Sequence, residues 1–289
     1  YNNNIRFDGL KYIQKYKDTI TNIIVLGCGT SYHAGMLFKY YMQNINNSNI
    51  NTIQCFDASD FTEYDIPKQG KTLFILCSQS GETRDLINII DICNKNNNLL
   101  IGVINTPDTM ITKLVHCGIY INAGREKSVA STKSFTSLVI ILSMIALWFN
   151  NENSNKILKN IDSLHNLSKN VKELLNNSLI KDKCDNLVSY INSNNINNMF
   201  ILGKDKYHII AKEAALKIKE VSYIHAESYP SGALKHGPFA LLDKKKLMLL
   251  LVWLNVIIHL YQPSPLSSIA ALIILLVFST LPVFKSKYA

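Results

Sequence analysis

The chain has 289 residues, 47% of them hydrophobic, and a formal charge of +9; that length accommodates one large or two ordinary domains. The lysines are scattered through asparagine-rich segments rather than stacked on one face or interleaved with aromatics, which argues against a nucleic-acid partner. The six cysteines (Cys28, Cys55, Cys77, Cys93, Cys117, Cys184) form no C-x-x-C pair and have no histidine at metal-ligand spacing, so they read as buried free thiols of a reducing compartment, with no metal site.

A helix is expected at Gly9–Lys17, then a β-branched strand at Asn22–Leu26 bounded by Gly27. Ser31 is placed to cap a helix at Tyr32–Gln43. A weaker strand at Thr52–Phe56 precedes a second such unit: strand Thr72–Cys77, loop Ser78–Thr83, helix Arg84–Asn94. Strands follow at Leu100–Ile104 and Gly118–Ile121, and a long apolar helix at Thr132–Phe149. Five strands alternating with helices imply an α/β fold, a doubly wound parallel five-stranded sheet flanked by helices, over residues 1–150.

Residues 151–197 show helical spacing (Lys156–Asn177, Lys181–Ser193) and read as a connector. At 198–246 the strand Met199–Leu202, the Gly203 turn and a helix at Tyr207–Val221 repeat the opening design and begin a second, incomplete unit. The asparagine clusters between segments read as solvated loops. The opening Tyr1-Asn-Asn-Asn is polar and lacks an initiator methionine, so the chain is expected to start inside a longer product.

Backbone amides at a helix N-terminus, helped by hydroxyls, bind phosphate without a lysine. Thr30, Ser31, Ser78, Ser80 and Thr83 fit that role, Gln79 adds an amide for a sugar hydroxyl, and Gly27, Gly29 and Gly81 permit close backbone approach. Either loop alone reads equally as a cap and turn; the pair at successive strand ends favours a cradle at the carboxyl edge of the sheet. On the helix at Glu213–Val221, Glu213, Lys217 and Glu220 share one face. That pattern fits a solvated salt-bridged face as well as acid–base chemistry. The loop Ser231-Gly-Ala-Leu-Lys-His236-Gly-Pro tilts the choice to chemistry, while His225 suits packing or activity equally.

Gly27-Cys-Gly-Thr-Ser31, Ser78-Gln-Ser-Gly-Glu-Thr83, Val129-Ala-Ser-Thr-Lys133 with Phe135, and Ala215–Glu220 continuing to His236-Gly-Pro238 resemble, in order, the sugar isomerase (SIS) half of the glutamine:fructose-6-phosphate amidotransferases over residues 5–243. The resemblance implies conversion of fructose-6-phosphate and glutamine to glucosamine-6-phosphate, the entry to UDP-N-acetylglucosamine, in the cytoplasm and without metal or organic cofactor. It assigns Ser78, Gln79, Ser80 and Thr83 to the phosphate, Thr30 and Ser31 to the sugar, and puts Val129 and Ser131 beside it. It makes Glu220 the base moving a proton between C1 and C2, His236 the ring-opening group reaching a neighbouring subunit's site in a homodimer, and Lys217 a support for the proton transfer. Ammonia would come from a glutaminase domain with no counterpart in this chain, and the family's C-terminal Schiff-base lysine is not matched by Lys285 or Lys287. The resemblance is expected to stop after Asp243. Beyond it, Leu247–Phe284 contains no Asp, Glu, Lys or Arg and reads as an out-of-register stretch or as an apolar hairpin able to tether the chain to a membrane. The competing function is a phosphosugar-binding module without turnover.

Overall fold

The structure is a computed structural model that describes residues 5–44, 49–149, 155–241 and 246–250. The chain divides into two compact units, Tyr1–Ser154 and Asn155–Ala289.

The first unit opens with a broken turn structure in place of the expected single helix: 3-10 turns at Asp8–Leu10 and Lys17–Thr19 flank the four-residue helix α1, Lys11–Gln14. The chain must turn into the sheet at Ile20, and bonds from Tyr16 N–H to the Ile13 carbonyl and from Thr19 N–H to the Tyr16 carbonyl tighten the helix before it can extend. Then follow β1 (Ile20–Gly27), α2 (Thr30–Asn44), β2 (Thr52–Asp57), β3 (Lys71–Ser78), α3 (Arg84–Cys93), β4 (Leu99–Ile104), α4 (Met110–Leu114), β5 (Cys117–Tyr120) and α5 (Lys133–Phe149). Ser31 lies inside the first turn of α2 rather than capping it.

All five strands are parallel, in the order β2-β1-β3-β4-β5. Side chains alternate across a strand, and β1 shows both destinations. Ile24 and Leu26 join Phe74, Leu76 and Leu100 beneath Leu86, Ile89 and Ile90 of α3 and Ile111 of α4. Val25 points the other way, where Gly35 of α2 approaches so closely that a Cβ there would lie 2.8 Å from Val25 and from the Cys55 sulfur. Helix α5 packs on α2 over that face. The sheet is therefore buried on both sides. Phe38, Phe74 and Phe135 are wholly enclosed, each contributing about 1.5–3 kcal/mol of apolar burial.

The order matters for function. Strand β1 connects to β2 on one side while β3 lies on its other side, so the chain reverses its winding direction between β1 and β3. In open α/β sheets the crevice at that reversal, beyond the carboxyl ends of the strands, is where ligands bind. The loops leaving β1 and β3 are Cys28–Gly29 and Gln79–Thr83, at the heart of the two segments singled out in the sequence.

The second unit contains helices α6 (Asn155–Leu175) and α7 (Ser178–Ser193), strand β6 (Asn198–Gly203), helix α8 (Lys206–Ser222), strand β7 (His225–Pro230), 3-10 turns at Ser231–His236 and Pro238–Leu241, and strand β8 (Lys246–Leu250). Its described strands form a parallel sheet in the order β7-β6-β8. Residues 247–250, the start of the run read as an atypical apolar tail, thus pair with β6 as sheet, continuing from Lys246. The rest of that run, with the proposed hairpin, Lys285 and Lys287, lies outside the described residues. Among the described residues no helix is long and apolar enough to cross a membrane.

Candidate functional site

Helix α2 starts almost directly from the end of β1. Gly29 adopts φ +52°, Ser31 N–H donates to the Cys28 carbonyl at 3.1 Å, and a Cβ on Gly27 would lie 2.8 Å from the Ser31 backbone. Thr30 and Ser31 are half-buried in that first turn. Between them and the strand, Cys28 is no nucleophile: burial, reinforced by the Asp57 carboxylate, pushes its thiol up to about 11, and the thiolate is the reactive form.

The loop after β3 closes on itself. Ser78, buried at the strand end, accepts the Gly81 N–H at 3.0 Å and shares a 2.8 Å hydrogen bond with Thr83 Oγ1. Ser80 Oγ accepts the Glu82 N–H at 3.1 Å and lies 3.5 Å from Ser78 Oγ. Gly81 holds φ +69° against Thr109, whose Oγ1 would meet a Cβ at 2.0 Å, so only glycine fits. Thr106 Oγ1 donates to the Gln79 carbonyl at 3.2 Å, tying the loop to the end of β4. The Glu82 carboxylate accepts the Met110 N–H at 2.7 Å at the start of α4, which keeps its negative charge engaged there.

Counting protons gives this loop its chemical character. Each hydroxyl owns one proton and two lone pairs; Ser78 and Ser80 use lone pairs on backbone amides, and the Ser78–Thr83 and Ser78–Ser80 contacts spend at most one proton each, so at least one hydroxyl proton stays available. Thr83 occupies the N-cap position of α3 but makes no side-chain cap bond, so the first-turn amides add further donors at the positive end of the helix dipole. The loop therefore presents an excess of donors without a cation, the arrangement that suits an anion such as a phosphate.

A third segment comes from the loop after β5. Val129 is 93% exposed, and Ser131 is half-buried and hydrogen-bonds Ser134 Oγ at 2.7 Å. Asn105, at the end of β4, accepts the Ala123 N–H at 2.9 Å and donates to the Gly124 carbonyl at 2.8 Å, fastening the start of this loop to the sheet edge. Glu126, which the sequence reading overlooked, accepts from the Ser134 hydroxyl, from Ser134 N–H at 3.2 Å and from Thr132 Oγ1 at 3.2 Å. No fixed spacing marks it; its one sequence signal is a carboxylate shortly before a helix start.

In the second unit, α8 carries Glu213 and Lys217 with side chains 1% and 3% exposed. The Lys217 ammonium lies 3.5 Å from Glu213 Oε1 and 2.6 Å from Glu220 Oε2, and the Glu220 side chain is 27% exposed. This is no solvated face: the lysine and one carboxylate are buried, and the second carboxylate is the member that solvent or a ligand can reach. His225 is an exposed residue 3.7 Å from Glu227, which also meets Lys219 at 3.5 Å. His236 ends an exposed 3-10 turn and makes no hydrogen bond or ion pair with Lys217 or Glu220. Among the described residues no cluster of three or more His, Cys, Asp or Glu is disposed to hold a metal.

A parallel sheet in the order 2-1-3-4-5 with a donor-lined loop at its winding reversal defines a doubly wound α/β protein. The chain belongs to the SIS domain family, which matches residues 19–148 and 194–253; the match runs past Asp243 and through β8, where the resemblance had been expected to stop. The chain is 44% identical over 226 residues to an Acanthamoeba polyphaga mimivirus protein named "Probable glutamine–fructose-6-phosphate aminotransferase (isomerizing)", and 32% identical over 253 residues to the human glutamine–fructose-6-phosphate aminotransferase (isomerizing) 2. These alignments cover 78% and 86% of this chain but 36% of each relative: the chain spans about a third of the length of these proteins. The C-terminal domain of glucosamine-fructose-6-phosphate aminotransferase from Francisella tularensis superposes with a TM-score of 0.82 at 26% identity, covering 99% of this chain and 89% of that one. Glucosamine-6-phosphate deaminase from Thermotoga maritima shares the fold, with a TM-score of 0.63 at 18% identity, covering 93% of this chain and 88% of that one.

Proposed function

We propose that this chain is the isomerase part of a glutamine:fructose-6-phosphate aminotransferase (isomerizing), forming glucosamine-6-phosphate for amino-sugar nucleotide synthesis. The names of its relatives support the reaction, and the observation that carries it is the Lys217–Glu220 pair, a reachable carboxylate held at 2.6 Å by a buried ammonium. In this reading Ser78, Gln79, Ser80 and Thr83 hold the phosphate, Thr30 and Ser31 hold the sugar, and Val129 and Ser131 lie beside it. Glu220 takes a proton from C1 of the fructose-6-phosphate imine and returns one to C2. Lys217 holds the carboxylate in place, the fixed geometry that a general base needs. His236 assists ring opening, and its exposure suits a role at the site of a second copy in a homodimer. Ammonia is supplied by a glutaminase.

Deuterium incorporation from D2O at C1 and C2 of the sugar phosphate, followed by NMR with fructose-6-phosphate and glucosamine-6-phosphate in turn, tests the assignment. The parent chain should exchange, and Glu220→Gln should lose exchange while retaining sugar-phosphate binding. Undiminished exchange in the variant would assign the base elsewhere. Binding by the parent without any exchange would make the chain a phosphosugar-binding module instead.

A further inference from the structure

The Glu126 carboxylate does more than close the start of α5. An ionised carboxylate only accepts, so the Ser134 hydroxyl, buried beside it, must spend its single proton on Glu126 Oε2. In the 2.7 Å contact between the two serines, Ser134 Oγ can then only accept, and Ser131 must donate. The polarity of a half-buried serine is thereby set from Glu126, two hydrogen bonds away. Ser131 has no proton left for a ligand but keeps a free lone pair, the reverse of the donor-rich Ser78–Thr83 loop.

We propose that Glu126 is a positioning residue that fixes Ser131 as a hydrogen-bond acceptor, so that this loop recognises a hydroxyl group of the ligand and repels a phosphate oxygen. This deepens the phosphosugar reading and rests on it: one loop takes the anionic end by donating, the other takes the sugar by accepting. A serine free to rotate would take either kind of group. Held by Glu126 through Ser134, it discriminates between them.

The test uses the full chain, titrated calorimetrically with fructose-6-phosphate and separately with inorganic phosphate. Glu126→Ala should weaken fructose-6-phosphate about tenfold, the scale of one hydrogen bond, and leave inorganic phosphate unchanged. Ser131→Ala should do the same. The double variant should bind no worse than Ser131→Ala alone, because both changes remove one interaction. Glu126→Gln, which keeps an oxygen to accept from Ser134, should stay within about threefold of the parent on the same scale. Additive losses in the double variant, or equal weakening of inorganic phosphate, would overturn the inference and leave the phosphate cradle standing. A parent chain that binds neither ligand overturns the underlying reading as well. If Glu126→Ala does not fold, Ser134→Ala cuts the same relay with Glu126 in place, and unchanged fructose-6-phosphate affinity in that variant sinks the proposal.

Discussion

Lys217 can sit with its side chain 3% exposed only because two carboxylates meet its charge. Removing one member of a buried ion pair leaves the charge of the other uncompensated in a poorly solvated place. Lys217→Ala should therefore lower stability by about 3–5 kcal/mol, and Lys217→Met, which fills the volume but removes the ammonium charge opposite Glu213, should be less damaging than alanine. Urea unfolding of the three proteins checks this; an unchanged midpoint in Lys217→Ala would mean that the carboxylates are solvated after all. At this scale the sequence disclosed which side chains share a face of α8, because a helix repeats every three to four residues. It did not disclose that the face is buried, since a charged stripe has the same spacing in water and in a core. Glu126 was illegible for a different reason: its partners Thr132 and Ser134 lie six and eight residues away across an irregular loop, which no periodicity encodes.

At the scale of elements, the central strands were legible because each contains a continuous apolar run, ending in Gly27 in β1 and Ser78 in β3 and filling the whole of β4, the signature of a parallel strand covered on both faces. Strand β7 escaped notice. His-Ala-Glu-Ser-Tyr-Pro is polar and only partly buried along most of its length, and it occupies the edge of its described sheet with β6 as its one neighbour. Helix α4 escaped because five residues are too few to show a helical period. Residues 247–250 were read as the start of an atypical apolar tail since an apolar run does not state whether it is strand or membrane segment; parallel pairing with β6 decides for sheet. The phosphate loop was legible as a motif, but its donor excess emerged only when each hydroxyl's partner was known. Ser78 and Ser80 are oriented by the Gly81 and Glu82 amides, geometry that a list of residue types does not contain.

Across the molecule, the cysteines report on burial and make a prediction about alkaline stability. Burial raises the Cys93 thiol to about 12 and, with Asp57, the Cys28 thiol to about 11; it also drives Cys77 and Cys55 upward. These groups hold their protons more tightly folded than unfolded, where a thiol titrates near 9.0. Their stabilising contribution is therefore complete below pH 9 and is lost as pH rises through 11 to 12. Thermal midpoints under reducing conditions should be flat as these thiols are approached from neutral pH and fall above pH 9; midpoints rising across that window would contradict the burial of the thiols. Any sugar-phosphate chemistry by this chain first requires the phosphate cradle at the winding reversal of the first sheet, and calorimetric titration of fructose-6-phosphate into the parent and into Ser78→Ala/Ser80→Ala tests that requirement most directly. The account predicts binding by the parent and a loss of affinity of at least about ten- to a hundredfold in the double variant, the worth of one hydrogen bond to a charged group. Equal affinity in the two proteins would contradict it.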